Sequence, residues 1–205
     1  MRKPNSMKSL EDLGRVRLSK NFFFRDFLHS EIADFYRIPN IPDDPDLAIE
    51  AGSRLCEELL EPLQATFGRL HIRSAYRSAA VNDYGNRNKL NCASNASSAA
   101  GHIWDMRDGD GFIGATACIA IPWIWDHYQE EGDWRKLAWW VHDNLPYSHM
   151  EFFPKLWAFN LSWHERSKRI ISSYANPRGV LTKPGMANHD GSHAEWYAGF
   201  PDLQR

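Results

Sequence analysis

The chain has 205 residues, 43% hydrophobic and 24% charged, which is enough to bury the core of one globular domain. Its 24 basic and 26 acidic side chains give a net charge of −2, which argues against attraction of the whole surface to nucleic acid or to an anionic membrane. Three cysteines without a CxxC pair argue against a disulfide framework, and no apolar run reaches the roughly 20 residues of a membrane span.

Residues 1–17 are predicted to form a basic N-terminal arm. Six of the first 20 residues are Lys or Arg, a composition typical of a solvated tail. An ordered arm of this kind would need a surface to lie on, such as a neighbouring subunit. The opening sequence MRKPNSMKSL lacks the apolar core of a secretory signal, so synthesis in the cytoplasm is expected, and residence in a virion is compatible with it.

Two helices are predicted in the first third of the chain. Asn21–Tyr36 carries an apolar stripe at helical spacing. A longer helix is predicted to begin with Asp44 as its N-cap and Pro45 as its first residue, and to end at Gly68.

The rest of the chain is predicted to contain short strands, a polar loop and two helices, followed by an irregular tail over residues 173–205. In chain order these are a strand at Leu70–Ser74, a loop at Tyr84–Ala100, a strand at Gly101–Met106, helices at Ala115–Glu131 and Trp134–Asn144, and strands at Met150–Phe153 and Trp157–Trp163. All nine tryptophans lie at or beyond Trp104, so this half supplies either core mass or a contact surface for a partner.

Three stretches, Leu18–Asn40, Leu55–Asn82 and Gly101–Asp105, together resemble the M15 family of zinc D-Ala-D-Ala peptidases and phage endolysins. The resemblance covers about Leu18 to Arg169. It implies an α+β fold of the Hedgehog/DD-peptidase type, in which helices flank a small antiparallel sheet. It also implies that residues 18–172 form one M15-like domain.

The zinc site that this resemblance implies is degenerate in the sequence. The family pattern S-x-H-x-x-G-x-A-x-D aligns with residues 96–105, where Gly101 and Asp105 match. Ser98 stands at the position of the ligand histidine, and a neutral hydroxyl is a poor zinc ligand. His102 is the obvious substitute, but on a strand it would point away from Asp105.

The third zinc ligand falls in one of two registers. If Leu145–Phe153 is the strand before the ligand strand, the third ligand position is Asn160, and Glu151 stays at a family acidic position. If Tyr147–Phe152 is itself the ligand strand, His149 takes the role. We favour the first register, and neither one restores the first histidine.

The segment SAYRS resembles the family's S-G-Y-R-S motif, which implies that Ser74, Tyr76 and Arg77 lie at the substrate cleft. The bidentate fork of Arg77 suits a peptide carboxylate. The alternative is a structural arginine that pairs with Asp105 or another core carboxylate, because a buried Asp105 without a metal would need a counter-charge.

Several other histidines have structural interpretations. His142 and Asp143 end a predicted helix, where the helix dipole favours a histidine. His189 and His193 lie in the segment HDGSH, which superficially suggests a metal site. We interpret them as solvated residues of a Gly/Ser-containing loop.

Three functional hypotheses follow. The first is a non-catalytic M15-like domain that serves as a structural or interaction subunit, of a phage or phage-like particle, through its Trp-rich half, basic arm and tail. The second is an active zinc peptidase on peptidoglycan, with Asp105, His149 and His102 as metal candidates and Glu151 as the catalytic carboxylate. The third is a domain that binds peptidoglycan peptides through Arg77 without cleaving them. Zinc is expected only under the second hypothesis, and no other cofactor under any of them.

Overall fold

The computed structural model describes residues 1–128, 130 and 132–204. Its helices are α1 (Met7–Gly14), α2 (Glu31–Tyr36), α3 (Pro45–Leu55), α4 (Glu61–Phe67), α5 (Ala79–Arg87), α6 (Asn95–Ser98), α7 (Pro122–Tyr128) and α8 (Arg135–Asn144). A π-helical turn at Cys56–Leu60 joins α3 to α4, and 3-10 turns lie at Phe24–Phe27 and Ala194–Tyr197. Among the described residues, no helix combines the length and the apolar character needed to cross a membrane.

Six strands form one sheet: β1 (His71–Ser74), β2 (Gly114–Ala120), β3 (His149–Phe152), β4 (Phe159–His164), β5 (Ile170–Ser173) and β6 (Gly179–Thr182). Their order is β1-β2-β4-β3-β5-β6, and every neighbouring pair is antiparallel except β3 and β5, which are parallel. The predicted α+β class is confirmed, but the sheet is mixed rather than antiparallel. The chain leaves β4 at the end of the sheet where β3 begins. Because β4 already pairs with one edge of β3, β5 starts from that end on the other edge and runs parallel to β3.

The sheet has an apolar and a polar face. Along β4 the odd-numbered residues are buried and the even-numbered residues are partly exposed. In β3 burial also alternates, with the even-numbered residues buried and the odd-numbered residues partly exposed. The buried residues of both strands belong to the hydrophobic core, and α3 packs against β2 and β4. The partly exposed side chains of the two strands, at positions 149 and 151 and at positions 160, 162 and 164, therefore line the polar face of the sheet.

The long helix predicted between Asp44 and Gly68 is confirmed. The Asp44 side chain accepts a hydrogen bond from the Leu47 amide at 3.2 Å, Pro45 occupies the first turn, and Gly68 ends the helix at φ 79°. The π-helical turn ends just before Pro62, whose ring cannot accommodate regular α-helical hydrogen bonding to the preceding turn.

The single helix predicted at Asn21–Tyr36 was wrong in its extent. Two short elements replace it, the 3-10 turn at Phe24–Phe27 and α2. The Ser30 hydroxyl accepts a hydrogen bond from the Ala33 amide at 3.4 Å and so begins a new helix inside the apolar pattern. Phe35, part of the predicted stripe, is 79% exposed.

Two neighbouring predictions also differ from the structure. The predicted loop Tyr84–Ala100 contains the end of α5 and all of α6, whose N-termini are capped by the side chains of Ser78 and Ser94. The predicted strand Gly101–Met106 consists of turns instead. The loop was predicted from the polar composition of the segment, but the caps at Ser78 and Ser94 begin helices there despite that composition.

The helix predicted at Ala115–Glu131 is a strand followed by a helix. Every residue of β2 is buried, so the strand lacks the alternation that distinguishes a strand from a buried helix. The helix α7 begins only at Pro122, and Glu131 lies outside the described residues. The next predicted helix, Trp134–Asn144, is confirmed as α8.

Both chain ends pack onto the domain. Leu13 of α1 is fully buried, and at the other end the indole Nε1 of Trp140 donates a hydrogen bond to the Pro201 carbonyl at 3.0 Å. Residues 1–17, predicted as an arm, therefore contain a helix. Residues 173–205, predicted as irregular, contribute a strand and a 3-10 turn to the described part of the chain.

Most of the tryptophans are core residues. Six of the nine are buried: Trp104, Trp134, Trp139, Trp140, Trp157 and Trp163. Trp125 and Trp196 are each 36% exposed. The tryptophan-rich half therefore contributes chiefly core mass, and these two side chains are the exposed indoles that a partner could contact.

Candidate functional site

A cleft of about 1180 Å³ lies over the polar face of the sheet. Its floor is formed by the side chains of Thr116, His149, Glu151, Asn160, Ser162 and His164. Its rim includes Arg77, Cys92, Ser98, His102, Lys168 and Tyr174. The strands therefore fix the floor, while most of the rim comes from the segments that follow β1, α5 and β4.

Strand register brings the floor residues together. Glu151 on β3 lies directly opposite Asn160 on β4, and His149 lies opposite Ser162, which in turn lies opposite Thr116 on β2. Residues in these positions project to the same face with Cβ atoms roughly 5 Å apart. The hydroxyls of Thr116 and Ser162 share a hydrogen bond of 2.7 Å, which ties β2 to β4 beneath the cleft.

Two ionisable groups on the floor favour their neutral forms. Burial raises the pKa of Glu151, whereas burial and then the Lys168 ammonium lower the pKa of His149. His149 Nε2 shares a hydrogen bond of 3.2 Å with the Ser172 hydroxyl. A carboxyl group whose pKa is raised and a neutral imidazole can exchange a proton with a bound ligand or hold it by hydrogen bonds.

Arg77 and His102 lie next to each other on the rim of the cleft. The Arg77 amide donates to the His102 carbonyl at 2.8 Å, and the Arg77 Nη1 donates to the Cys92 Sγ at 2.6 Å. Burial, followed by the charge of Arg77, lowers the pKa of His102 to about 3, so its ring is neutral at pH 7. The His102 Nδ1 donates to the Ala75 carbonyl at 2.8 Å, which leaves Nε2 as a hydrogen-bond acceptor.

Asp105 is a structural carboxylate and does not line the cleft. It accepts hydrogen bonds from the amides of Asp43 at 2.6 Å and Asp44 at 3.4 Å, and from the Tyr76 hydroxyl at 3.0 Å. Burial nevertheless raises its pKa. These contacts join the start of α3 to the chain after β1, so the local role of Asp105 is to hold the framework together.

The predicted pairing of Arg77 with Asp105 was wrong. Among the ion pairs of the described residues, none joins these two side chains, because Tyr76 and two amides occupy the carboxylate and Cys92 occupies the guanidinium. Of the three residues predicted to bind substrate, Arg77 lines the cleft, whereas Ser74 and the buried Tyr76 do not.

The predicted zinc positions do not assemble into a metal site. Ser98 and Asn160 line the cleft, but neither side chain has the carboxylate or imidazole that zinc prefers. The ligand atoms of His102, Asp105 and His149 do not form a group close enough together to bind one metal ion. Within the described residues one such group exists, with ligand atoms within 4.8 Å of one another. It consists of His142, Asp143 and His193, here called the C-terminal cluster, and it lies outside the cleft.

Several cleft residues were missed by the sequence analysis. His164 on the floor shares a hydrogen bond of 3.1 Å with the Asp108 carboxylate, and Lys168 and Tyr174 close one side of the cleft. The alternation of polar residues at 160, 162 and 164 was a signal that could have identified His164 as a floor residue. Cys92 gave no such signal, because its contact with Arg77 depends on the loop after α5.

Comparison with known proteins gives no match, whether to a family model, to a curated protein or to a solved structure. The resemblance to the M15 family therefore stays a prediction from three sequence stretches.

Proposed function

We propose that this protein is a non-catalytic interaction domain whose cleft binds a peptide with a free carboxylate, of the peptidoglycan stem type, without cleaving it. The observation that carries the proposal is a large polar cleft with Arg77 at its rim but with no three metal donors gathered on its floor among the described residues. Such a cleft can hold a ligand by hydrogen bonds and charge, while the M15-type reaction would need a three-ligand metal site.

The guanidinium of Arg77 supplies the anion-binding group. Its present partner is the Cys92 thiol, which is a weak acceptor. A ligand carboxylate offers two oxygens to the guanidinium fork and forms stronger, charge-assisted hydrogen bonds. A carboxylate entering the cleft should therefore replace the thiol as the partner of Arg77.

The floor of the cleft suits a peptide backbone. Asn160 on the floor offers both an amide donor and a carbonyl acceptor, His102 on the rim offers Nε2 as an acceptor, and the carboxyl group of Glu151 offers a further polar partner. Neutral polar groups of both kinds match the N–H and C=O groups of a peptide. Burial shifts the pKa values of Glu151 and His149 toward the neutral forms, which lowers the cost of covering the floor with a ligand.

The proposal is tested by titrating the protein with a stem peptide that ends in D-Ala-D-Ala and, as matched ligand control, with the same peptide amidated at its C-terminus. We expect Arg77→Gln to weaken binding of the free acid roughly tenfold to 100-fold, the effect of losing one charge-assisted pair. Arg73→Gln is the matched control variant, since Arg73 lies on β1 just before the segment of Arg77, is exposed and does not line the cleft. Equal binding of the acid and the amide would contradict the proposal.

An active peptidase is the second candidate, favoured by the raised pKa of Glu151 next to a neutral His149 on the cleft floor. Peptide cleavage by the zinc-supplemented wild-type protein that is lost in Glu151→Gln would establish this alternative. The assembly of the domain into a phage-like particle stays a prediction from the sequence.

A further inference from the structure

The C-terminal cluster joins two distant parts of the chain. His142 and Asp143 are the last but two and last but one residues of α8, and His193 reaches them from the segment after β6. His142 and His193 are buried, so the interpretation of His193 as a solvated loop residue was wrong, and the side chain of Asp143 is 11% exposed. Two imidazoles and a carboxylate in this environment need compensation for their lost hydration.

The hydrogen bonds on the far side of each ring fix the tautomer. The Nε2 of His142 donates to the His189 carbonyl at 2.8 Å, and the Nε2 of His193 donates to the Asn188 carbonyl at 3.0 Å. A carbonyl can only accept, so both rings carry their proton on Nε2. Donation of the outer N–H to a backbone carbonyl is the usual way in which a metal-binding histidine is oriented.

If the rings are neutral, both Nδ1 atoms are thereby left without a proton. The Nδ1 of His193 lies 2.8 Å from the Asp143 Oδ1, and the Nδ1 of His142 accepts a hydrogen bond of 2.7 Å from the Tyr147 hydroxyl. Two atoms that both carry lone pairs repel each other at 2.8 Å unless a cation joins them. That cation is either a proton on His193 or a metal ion bound by the cluster.

The Oδ1 atom of Asp143 is available to bind an ion. The Oδ2 atom of the same carboxylate accepts hydrogen bonds from the His193 amide at 2.7 Å and from the Tyr197 hydroxyl at 2.9 Å, while the one hydrogen-bond partner of Oδ1 among the described residues is the His193 ring. The carboxylate is therefore held in position by Oδ2 and presents Oδ1 to the two rings. The nearby Arg169 is occupied, because it donates to the carbonyls of His142 and Leu145.

We propose that the C-terminal cluster is a binding site for a divalent transition-metal ion of the zinc class, with the Nδ1 atoms of His142 and His193 and the Oδ1 of Asp143 as ligands. Two imidazoles and one carboxylate suit zinc and not magnesium, which prefers oxygen ligands. A small opening of the contact between His193 and Asp143, and displacement of the Tyr147 hydroxyl, make room for the ion. The site pins the segment after β6 to α8.

The location of the site distinguishes it from the cleft. None of its three ligands lines the cleft, so its occupancy does not depend on the proposed function. The ring of His193 is stacked on Trp139 at 3.8 Å between centroids, which places the ion on the side of α8 and the C-terminal segment. Its role is therefore structural rather than catalytic.

The experiment measures zinc bound per chain by elemental analysis after removal of metal with a chelator, reloading with zinc and dialysis. The wild-type protein should retain one zinc ion per chain, and His193→Ala should retain none. His149→Ala and His164→Ala are matched controls that remove histidines of the cleft floor, and both should keep the ion. In the wild-type protein zinc should also raise Tm, whereas the same concentration of magnesium should not.

A folding defect in His193→Ala is separated from a loss of ligation by two further measurements. His193→Gln keeps a side chain of similar reach and should also retain no zinc while its circular dichroism matches that of the wild type. Cobalt added to the metal-free wild-type protein should give the visible absorption of a four-coordinate ion. Zinc that is retained in His193→Ala but lost in His149→Ala would overturn the site and favour a cleft metal. Absence of zinc binding to the wild type would show that a proton alone joins Asp143 to His193.

Discussion

The cleft floor and the C-terminal cluster are both polar, but they satisfy their polar groups in different ways. On the floor, Glu151 and His149 face open space, and burial shifts their pKa values toward the neutral forms. In the cluster, Asp143 alone accepts three hydrogen bonds from His193 and Tyr197. The floor therefore keeps groups available to a ligand at the expense of stability, whereas the cluster uses its polar groups to stabilise the fold.

Removal of the cluster carboxylate should give the largest effect. Asp143→Ala leaves the His193 ring and amide and the Tyr197 hydroxyl without their acceptor in a buried place. We expect the free energy of unfolding to fall by about 3–5 kcal/mol, because each buried donor left without an acceptor costs about 1–3 kcal/mol. Urea denaturation followed by tryptophan fluorescence measures this loss.

The matched control is Asp126→Ala, which removes an exposed carboxylate from α7. It should change the free energy of unfolding by less than about 0.5 kcal/mol. Similar losses for the two variants would mean that Asp143 contributes no more to stability than an ordinary surface aspartate, which would contradict a stabilising role for the cluster.

Acid should destabilise the protein through the rim of the cleft. His102 is neutral in the folded state, with a pKa lowered from 6.5 to about 3, so below pH 6.5 the unfolded chain binds a proton that the folded chain does not. The free energy of unfolding should therefore fall by about 1 kcal/mol for each pH unit between pH 6.5 and the folded-state pKa. Urea denaturation at a series of pH values measures the slope.

Other groups also titrate in this range, so the slope of a variant is compared with that of the wild type. His102→Asn can keep the donor to the Ala75 carbonyl but cannot be protonated. It should have the smaller slope by about 1 kcal/mol per pH unit. Parallel curves would show that His102 is not held neutral by the fold.

The smallest effect is expected on the cleft floor, and its sign is opposite. Because burial raises the pKa of Glu151, its ionised form costs stability, and this cost appears as the pH rises above the carboxyl's ordinary pKa of 4.5. Glu151→Gln should therefore stabilise the protein at pH 7 by less than about 1 kcal/mol. Thermal unfolding should show a small rise in Tm for this variant.

Glu50→Gln is the control for this change, since Glu50 is an exposed carboxylate on α3. It should leave Tm unchanged at pH 7. A fall in Tm for Glu151→Gln would mean that the ionised carboxylate contributes to the fold, and the floor would then resemble the cluster.

Parts of the fold could be predicted because their signals are local. The long helix was predicted correctly from Asp44, Pro45 and Gly68, since a side-chain cap, a fixed φ and a left-handed glycine act within one turn. The strand β2 could not be predicted, because every residue is buried and its apolar run has no period of two. Gly101–Met106 forms turns rather than the predicted strand, and the Gly101 and Ile103 amides both donate to the Ser98 carbonyl at the end of α6.

The candidate site was only partly predictable for the same reason. The sequence indicated Arg77, Ser98, His149, Glu151 and Asn160, and all five line the cleft. It also placed Asp105 among the zinc positions, but the amides at the start of α3 and a tyrosine hydroxyl hold that carboxylate in the framework. Hydrogen-bond partners more than 60 residues away along the chain decided this outcome.

The long helix from Asp44 to Gly68 follows from local sequence, and the polar residues at 160, 162 and 164 carry the alternation that gives β4 a buried and an open side. Tertiary structure alone decided that β5 runs parallel to β3, and that His193 reaches Asp143 across 50 residues of chain. The physical reason is that caps and periodicity act between residues a few positions apart. Strand order and the pairing of buried polar groups depend instead on how the whole chain excludes water from its core.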